Sequence, residues 1–149
     1  MIATQKSTAV STNQKVTPSR NRQAVLSTLW IFVMFNYLYC DVMSLMDPAF
    51  LKQYLAGNVG GIQISASFLL GAAVLMEIPI SLVLLSRVLS FPANRWANII
   101  AGAIMTLVQL STLIFGSATT IYYLFFSAIE IACTAFIVWY AWKWPKPEA

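Results

Sequence analysis

IQISASFLLGAAVLMEIPISLVLL, residues 62–85, is the stretch that decides the fold, and its only charged side chain is Glu77. A helix rises 1.5 Å per residue, so about 20 apolar residues cross the ~30 Å of hydrocarbon in a bilayer. This run is long enough to span and carries too little polarity to be stable in water. Three runs of similar length flank it, at 24–46, 96–115 and 121–142. The breaks between them hold turn-forming residues: Asp47-Pro48 and Gly57 to Gly61, then Ser90-Phe91-Pro92, then Gly116-Ser117, with Pro145 and Pro147 beyond the last run.

The whole chain agrees with this reading. Of its 149 residues 59% are hydrophobic and 9% charged, against about 25% charged in an average soluble domain. No polar stretch is long enough for a separate soluble domain, so one domain is expected. The predicted architecture is all-α: an integral membrane bundle of four transmembrane helices, up-down-up-down, with short connections. Residues 1–23, basic and rich in Ser, Thr, Asn and Gln, are predicted to be a disordered tail. The membrane domain then runs over 24–142, and 143–149 form a second short tail.

Orientation follows from lysine and arginine. Lys6, Lys15, Arg20, Arg22, Arg87, Arg95, Lys143 and Lys146 lie on one side of the predicted bundle, and Lys52 alone on the other. The side richer in basic residues faces the cytoplasm, so both termini are predicted inside. A basic start before an apolar run resembles a signal peptide, but 24–46 exceeds an h-region of roughly 7 to 15 residues, and no small-residue cleavage site follows. It reads as a retained first helix, although an acid-free basic start also fits a transit peptide. Trp30, Trp96, Trp139, Trp142, Trp144, Tyr122 and Tyr123 are expected near helix ends, where amphipathic rings suit the headgroup region. The loop 47–61, with Phe50, Leu51, Tyr54 and Leu55, is expected to form an amphipathic turn on the surface or a cap on the bundle.

Composition also excludes functions. The net charge of +4 arises at the ends of apolar runs and not from a patch with interleaved aromatics, so no nucleic-acid partner is expected. The chain has no histidine, which removes the commonest metal ligand and every Ser-His or Cys-His arrangement. Cys40 and Cys133 lie in different predicted helices without metal-site or redox spacing. No metal site, no cofactor and no enzymatic activity of the soluble type are predicted.

Three acids fall inside the predicted spans: Asp41, Glu77 and Glu130. Intramembrane ionisable groups are expensive and usually face the interior. Small or polar residues recur at helical spacing around them: Gln63, Ala66, Ala73, Glu77 and Ser81 on the second helix, and Tyr123, Ser127, Glu130 and Thr134 on the fourth. Asn98, Gly102, Thr106, Gln109 and Thr112 do the same on the third, and Asn36, Tyr37, Cys40, Asp41 and Ser44 on the first. These faces are predicted to point inward. With no lysine or arginine in any span, the glutamates are expected to hydrogen-bond to neighbours such as Gln109 or Tyr123. The candidate polar site is therefore Asn36, Tyr37, Asp41, Glu77, Asn98, Gln109, Tyr123 and Glu130.

The segments Asn36-Tyr37-Leu38-Tyr39-Cys40-Asp41, Met76-Glu77-Ile78-Pro79 and Arg95-Trp96-Ala97-Asn98 resemble a bacterial family of four-helix membrane proteins known only as a domain of unknown function. The likeness covers nearly everything after the tail. Asp41, Glu77, Pro79, Arg95 and Asn98 match its motifs. In size and helix layout that family is similar to DoxX-like proteins, small membrane subunits linked in some cases to quinone or sulfur-compound oxidation. The resemblance implies a bundle in a bacterial inner membrane and no assigned activity.

Three functions are consistent with these residues. One is a small transporter-like protein passing protons or a solute along a ladder from Asn98 through Glu77 and Glu130 to Asp41. A second is a DoxX-like subunit binding quinone or lipid, with Tyr37, Tyr123 and Phe126 as pocket walls and any redox group borrowed from elsewhere. The third is a structural partner in a homo-oligomer or larger membrane complex, which would turn a stripe of small residues towards lipid.

Overall fold

In a computed structural model, residues 18–116 and 120–145 are described. They form α1 (Pro18–Met46), α2 (Pro48–Leu55), β1 (Asn58–Val59), β2 (Ile62–Gln63), α3 (Ala66–Val88), α4 (Phe91–Phe115) and α5 (Ile121–Trp142). The four long helices α1, α3, α4 and α5 are each long and apolar enough to cross a membrane. The chain is therefore an all-α, multi-pass membrane bundle.

Boundaries depart from the sequence reading where local hydrogen bonding overrides hydropathy. Residues 18–23, predicted as tail, are the first turns of α1; residues 1–17 lie outside the described residues. Arg22 Nη1 donates to the carbonyls of Tyr140 and Lys143, both at 3.3 Å, and Gln23 Nε2 donates to the Leu89 carbonyl at 3.1 Å. The start of α1 thus satisfies carbonyls left over at the ends of α5 and α3, which holds it helical. Helix α4 begins at Phe91 rather than 96, because Ser90 is its N-cap and Pro92 sits in the first turn, where a proline removes no intrahelical bond.

The second span begins at Ala66, four residues later than predicted, because Ile62–Gln63 pairs with Asn58–Val59 in an antiparallel hairpin. Gly60 and Gly61 join the strands with φ of 58° and 83°, the left-handed geometry that a two-residue hairpin turn requires. The loop before it contains helix α2, whose N-cap Asp47 accepts from the Ala49 amide at 2.9 Å.

Antiparallel pairing is fixed by bonds at matched depths. On α4 and α5, Thr106 and Thr134 hydroxyls bond at 2.7 Å, Gln109 Nε2 donates to Ser127 Oγ at 2.7 Å, and Tyr123 donates to Thr112 at 2.8 Å. Gly102 makes this approach possible: a Cβ there would lie 2.8 Å from Val138 Cγ2 and 3.2 Å from the Thr134 carbonyl. Helix α1 packs against both α3 and α5, whereas α3 meets α4 mainly where α3 ends, through Ser86, Asn94 and Asn98. Two ends can be distinguished: a termini end, where α1 begins and α5 finishes, and a hairpin end, covered by α2 and the β-hairpin.

The core lies towards the termini end. Leu26, Trp30, Val33, Leu82, Met105, Ile137, Ala141 and Trp144 are buried there. Trp30 and Trp144, expected as headgroup anchors, are interior: Trp30 donates to Asn98 Oδ1 at 2.7 Å, and Trp144 folds back edge-on to Phe91 at 5.3 Å.

Candidate functional site

Polar side chains collect at both ends of the bundle, in two different chemical states. At the termini end they form a closed knot. Asn98 Oδ1 accepts from Trp30 Nε1 and from Ser86 Oγ, its Nδ2 donates to Asn94, and Asn94 Nδ2 donates to the Ser86 carbonyl. Arg87 Nε donates to Ser27 Oγ at 2.9 Å, and Ser27 donates to the Val83 carbonyl at 2.7 Å. Asn94, Asn98, Ser27 and Ser86 are all fully buried. Donors and acceptors are matched, which is the signature of a structural network.

The hairpin end is different. A cavity of about 410 Å³ opens between Asp41 and Ser44 on α1, Phe50 and Tyr54 on α2, Val59 and Ile62 on the hairpin, Thr112 and Phe115 on α4, and Thr120, Tyr122 and Tyr123 at the start of α5. Its volume and its mixture of rings with a few polar groups suit a small organic ligand. Burial pushes the Tyr54 phenol above its ordinary value, and Asp41, Tyr122 and Cys40 nearby add to the rise. Tyr54 therefore stays a neutral hydrogen-bond donor on the cavity wall.

Buried polar atoms without hydrogen-bond partners concentrate at this end. Among the described residues four of the five lie here, the hydroxyls of Thr120 and Tyr122 on the cavity wall and Tyr37 Oη and Glu130 Oε1 beneath it; the fifth, Arg95 Nε, is at the termini end. Tyr37 lies one helical turn below Asp41 on α1, and Glu130 about 10 Å below Tyr123 on α5. Glu130 is 1% exposed and within electrostatic range of Tyr37, Cys40 and Asp41. An unpaired buried polar atom costs about 1–3 kcal/mol, so four in one half of a small bundle are a substantial standing cost.

Of the residues proposed from sequence, Tyr37, Asp41, Gln109, Tyr123 and Glu130 share this half. Asn36 is also buried here and donates to its own helix at the Phe32 carbonyl, 2.8 Å away. Gln109 and Tyr123, expected to partner glutamates, instead pair with Ser127 and Thr112. Asn98 belongs to the knot at the other end, about 15 Å from the level of Glu130 by helical rise. The apolar residues Val33, Leu82, Met105 and Ile137 lie between.

Glu77 does not face the interior. At about 100° per residue it sits some 160° round α3 from buried Pro79, it is exposed, and its bonding neighbour is Ser81, which donates to Oε1 at 3.3 Å. The ladder from Asn98 through Glu77 to Glu130 is thus broken at two rungs. Sequence reasoning missed Thr120 and Ser111 as cavity walls, placed Phe50 and Tyr54 in a turn either on the surface or capping the bundle, and assigned Tyr122 to the headgroup region. Periodicity did not mark these residues, because the cavity walls come from α1, α2, the hairpin, α4 and α5 and meet only in the fold.

A family model described as a family of unknown function, DUF6326, matches residues 15–149. The chain belongs to that family. Among curated proteins and among solved structures nothing matches. Membership in DUF6326 covers all four spans and both polar clusters, so the cavity and the knot lie within the part of the chain that defines the family.

Proposed function

We propose that this DUF6326 chain is a transporter-like membrane protein that binds a small organic cation or amine in the cavity at its hairpin end. Asp41 supplies the counter-charge, Tyr54, Tyr122 and Phe50 the ring faces that attract a cation, and Glu130 with Tyr37 a deeper hydrogen-bonding station. The observation that carries this reading is the gathering of buried, unpartnered polar atoms around and beneath one cavity with a carboxylate on its wall. The role is taken to be binding and transfer, not catalysis.

The distribution of lysine and arginine supports an orientation with the termini end in the cytoplasm, which for a bacterial inner membrane turns the cavity outward. Passage would then require the Val33–Met105–Ile137 layer to open. A quinone is the second ligand class, supported by the rings and hydroxyls of Tyr54 and Tyr122 on the cavity wall, but a neutral ring makes no use of Asp41.

Purified protein in lipid nanodiscs, titrated calorimetrically with benzyltrimethylammonium, tests the reading. Saturable binding is expected, weakened about ten-fold or more by Asp41→Asn. Absence of saturable binding, or equal affinity in Asp41→Asn, overturns it.

A further inference from the structure

We propose that the outward face of α3 is a dimer interface, and that it is met by α3 of a second copy of this chain through paired Glu77 and Ser81 side chains. The inference does not depend on the cavity.

Glu77 lies midway along α3 and on the side opposite the buried residues Pro79, Leu82 and Ser86. In a membrane that position is the hydrocarbon centre, where no solvent is available to the carboxyl. Ser81 gives one hydrogen bond to Oε1, at 3.3 Å, which leaves the second oxygen to be satisfied by a further polar group.

The surface around Glu77 has the form of a helix-pairing seam. Ala66, Leu70, Ala73, Glu77, Ile80 and Leu84 recur at alternating steps of four and three residues, the heptad spacing of a left-handed helix pair. Leu70 is 66% exposed, Ile80 44% and Leu84 69%. Ala73, one turn from Glu77, presents only a methyl group and lets a second backbone come close.

Depth and chemistry select the occupant. A second copy inserted in the same orientation carries its own Glu77 at the same depth, without any further adjustment. A carboxyl group in its acid form both donates and accepts, so it complements itself, and the serine hydroxyl one turn away adds a further donor and acceptor. A two-fold axis along the membrane normal brings the two α3 helices together in parallel and closes the assembly at two.

Cysteine cross-linking in native-lipid vesicles tests the interface. Ala73→Cys and Ile80→Cys are expected to form disulfide-linked dimers on mild oxidation, and Leu75→Cys, on the inward side, is not. In micelle sedimentation Glu77→Leu is expected to dimerise roughly ten-fold more weakly than the wild type while Glu77→Gln, which keeps donor and acceptor, stays close to it. A monomeric wild type, wild-type affinity in Glu77→Leu, or cross-links favouring Leu75→Cys would each overturn the proposal. Unchanged helical circular dichroism in Glu77→Leu confirms that any loss is one of association.

Discussion

Asn98 is the clearest case of one residue holding several helices. Its side chain joins α1 through Trp30, α3 through Ser86 and its own helix through Asn94, and it is 0% exposed. Replacing it with leucine leaves an indole N–H and a serine hydroxyl buried and unpaired. With interhelical hydrogen bonds in membranes worth about 0.6–2 kcal/mol each, Asn98→Leu is expected to lower stability by about 2 kcal/mol, read from reversible unfolding in mixed micelles. Glu130 is equally buried, but its Oε1 has no partner. The contrast separates a polar residue kept for packing from one kept at a standing cost, and sequence alone gave both the same description: polar groups on small-residue stripes.

At the scale of elements, what could be read from sequence depended on whether a helix has two distinct faces. The stripes on α4 and α5 were legible because their polar residues recur at helical spacing on an apolar background, and they meet in the bonded pairs Thr106–Thr134, Gln109–Ser127 and Thr112–Tyr123. Helix α3 is apolar on nearly every side, and the weak stripe of Gln63, Ala66, Ala73, Glu77 and Ser81 that was read as its inward face is the side that packing turns out, with Pro79, Leu82 and Ser86 buried opposite. The hairpin escaped notice, and α2 was foreseen only as an amphipathic turn within 47–61, because both are made by local bonds, the Gly60-Gly61 turn and the Asp47 cap, which hydropathy does not register. The α4–α5 seam yields its own test. Gly102→Ala drives a methyl group into Val138 and the Thr134 carbonyl, and is expected to destabilise by about 1–3 kcal/mol. Gly71→Ala in α3 meets nothing within 4 Å and is expected to be neutral or slightly stabilising, the same thermal melt reporting both.

For the whole molecule, the number of spans was present in the sequence, because bilayer thickness sets helix length. Which side chains share a cavity was not, since that depends on how four helices rotate about their axes. Orientation can be checked directly: in intact cells Lys52→Cys is expected to react with a membrane-impermeant maleimide, and Lys143→Cys only after permeabilisation, with the reverse pattern indicating the opposite topology. One further property follows from the way α3 is attached. It is bonded to α4 through Ser86, Asn94 and Asn98 at the termini end, yet at the hairpin end Phe68 and Ala72, on the same side of α3 as Pro79, are exposed. In a bilayer, that half of α3 would meet acyl chains where the other half meets side chains. Lateral pressure in one leaflet therefore bears directly on the spacing of two helices, and a lipid mixture that relaxes it lets the bundle widen from its knotted end.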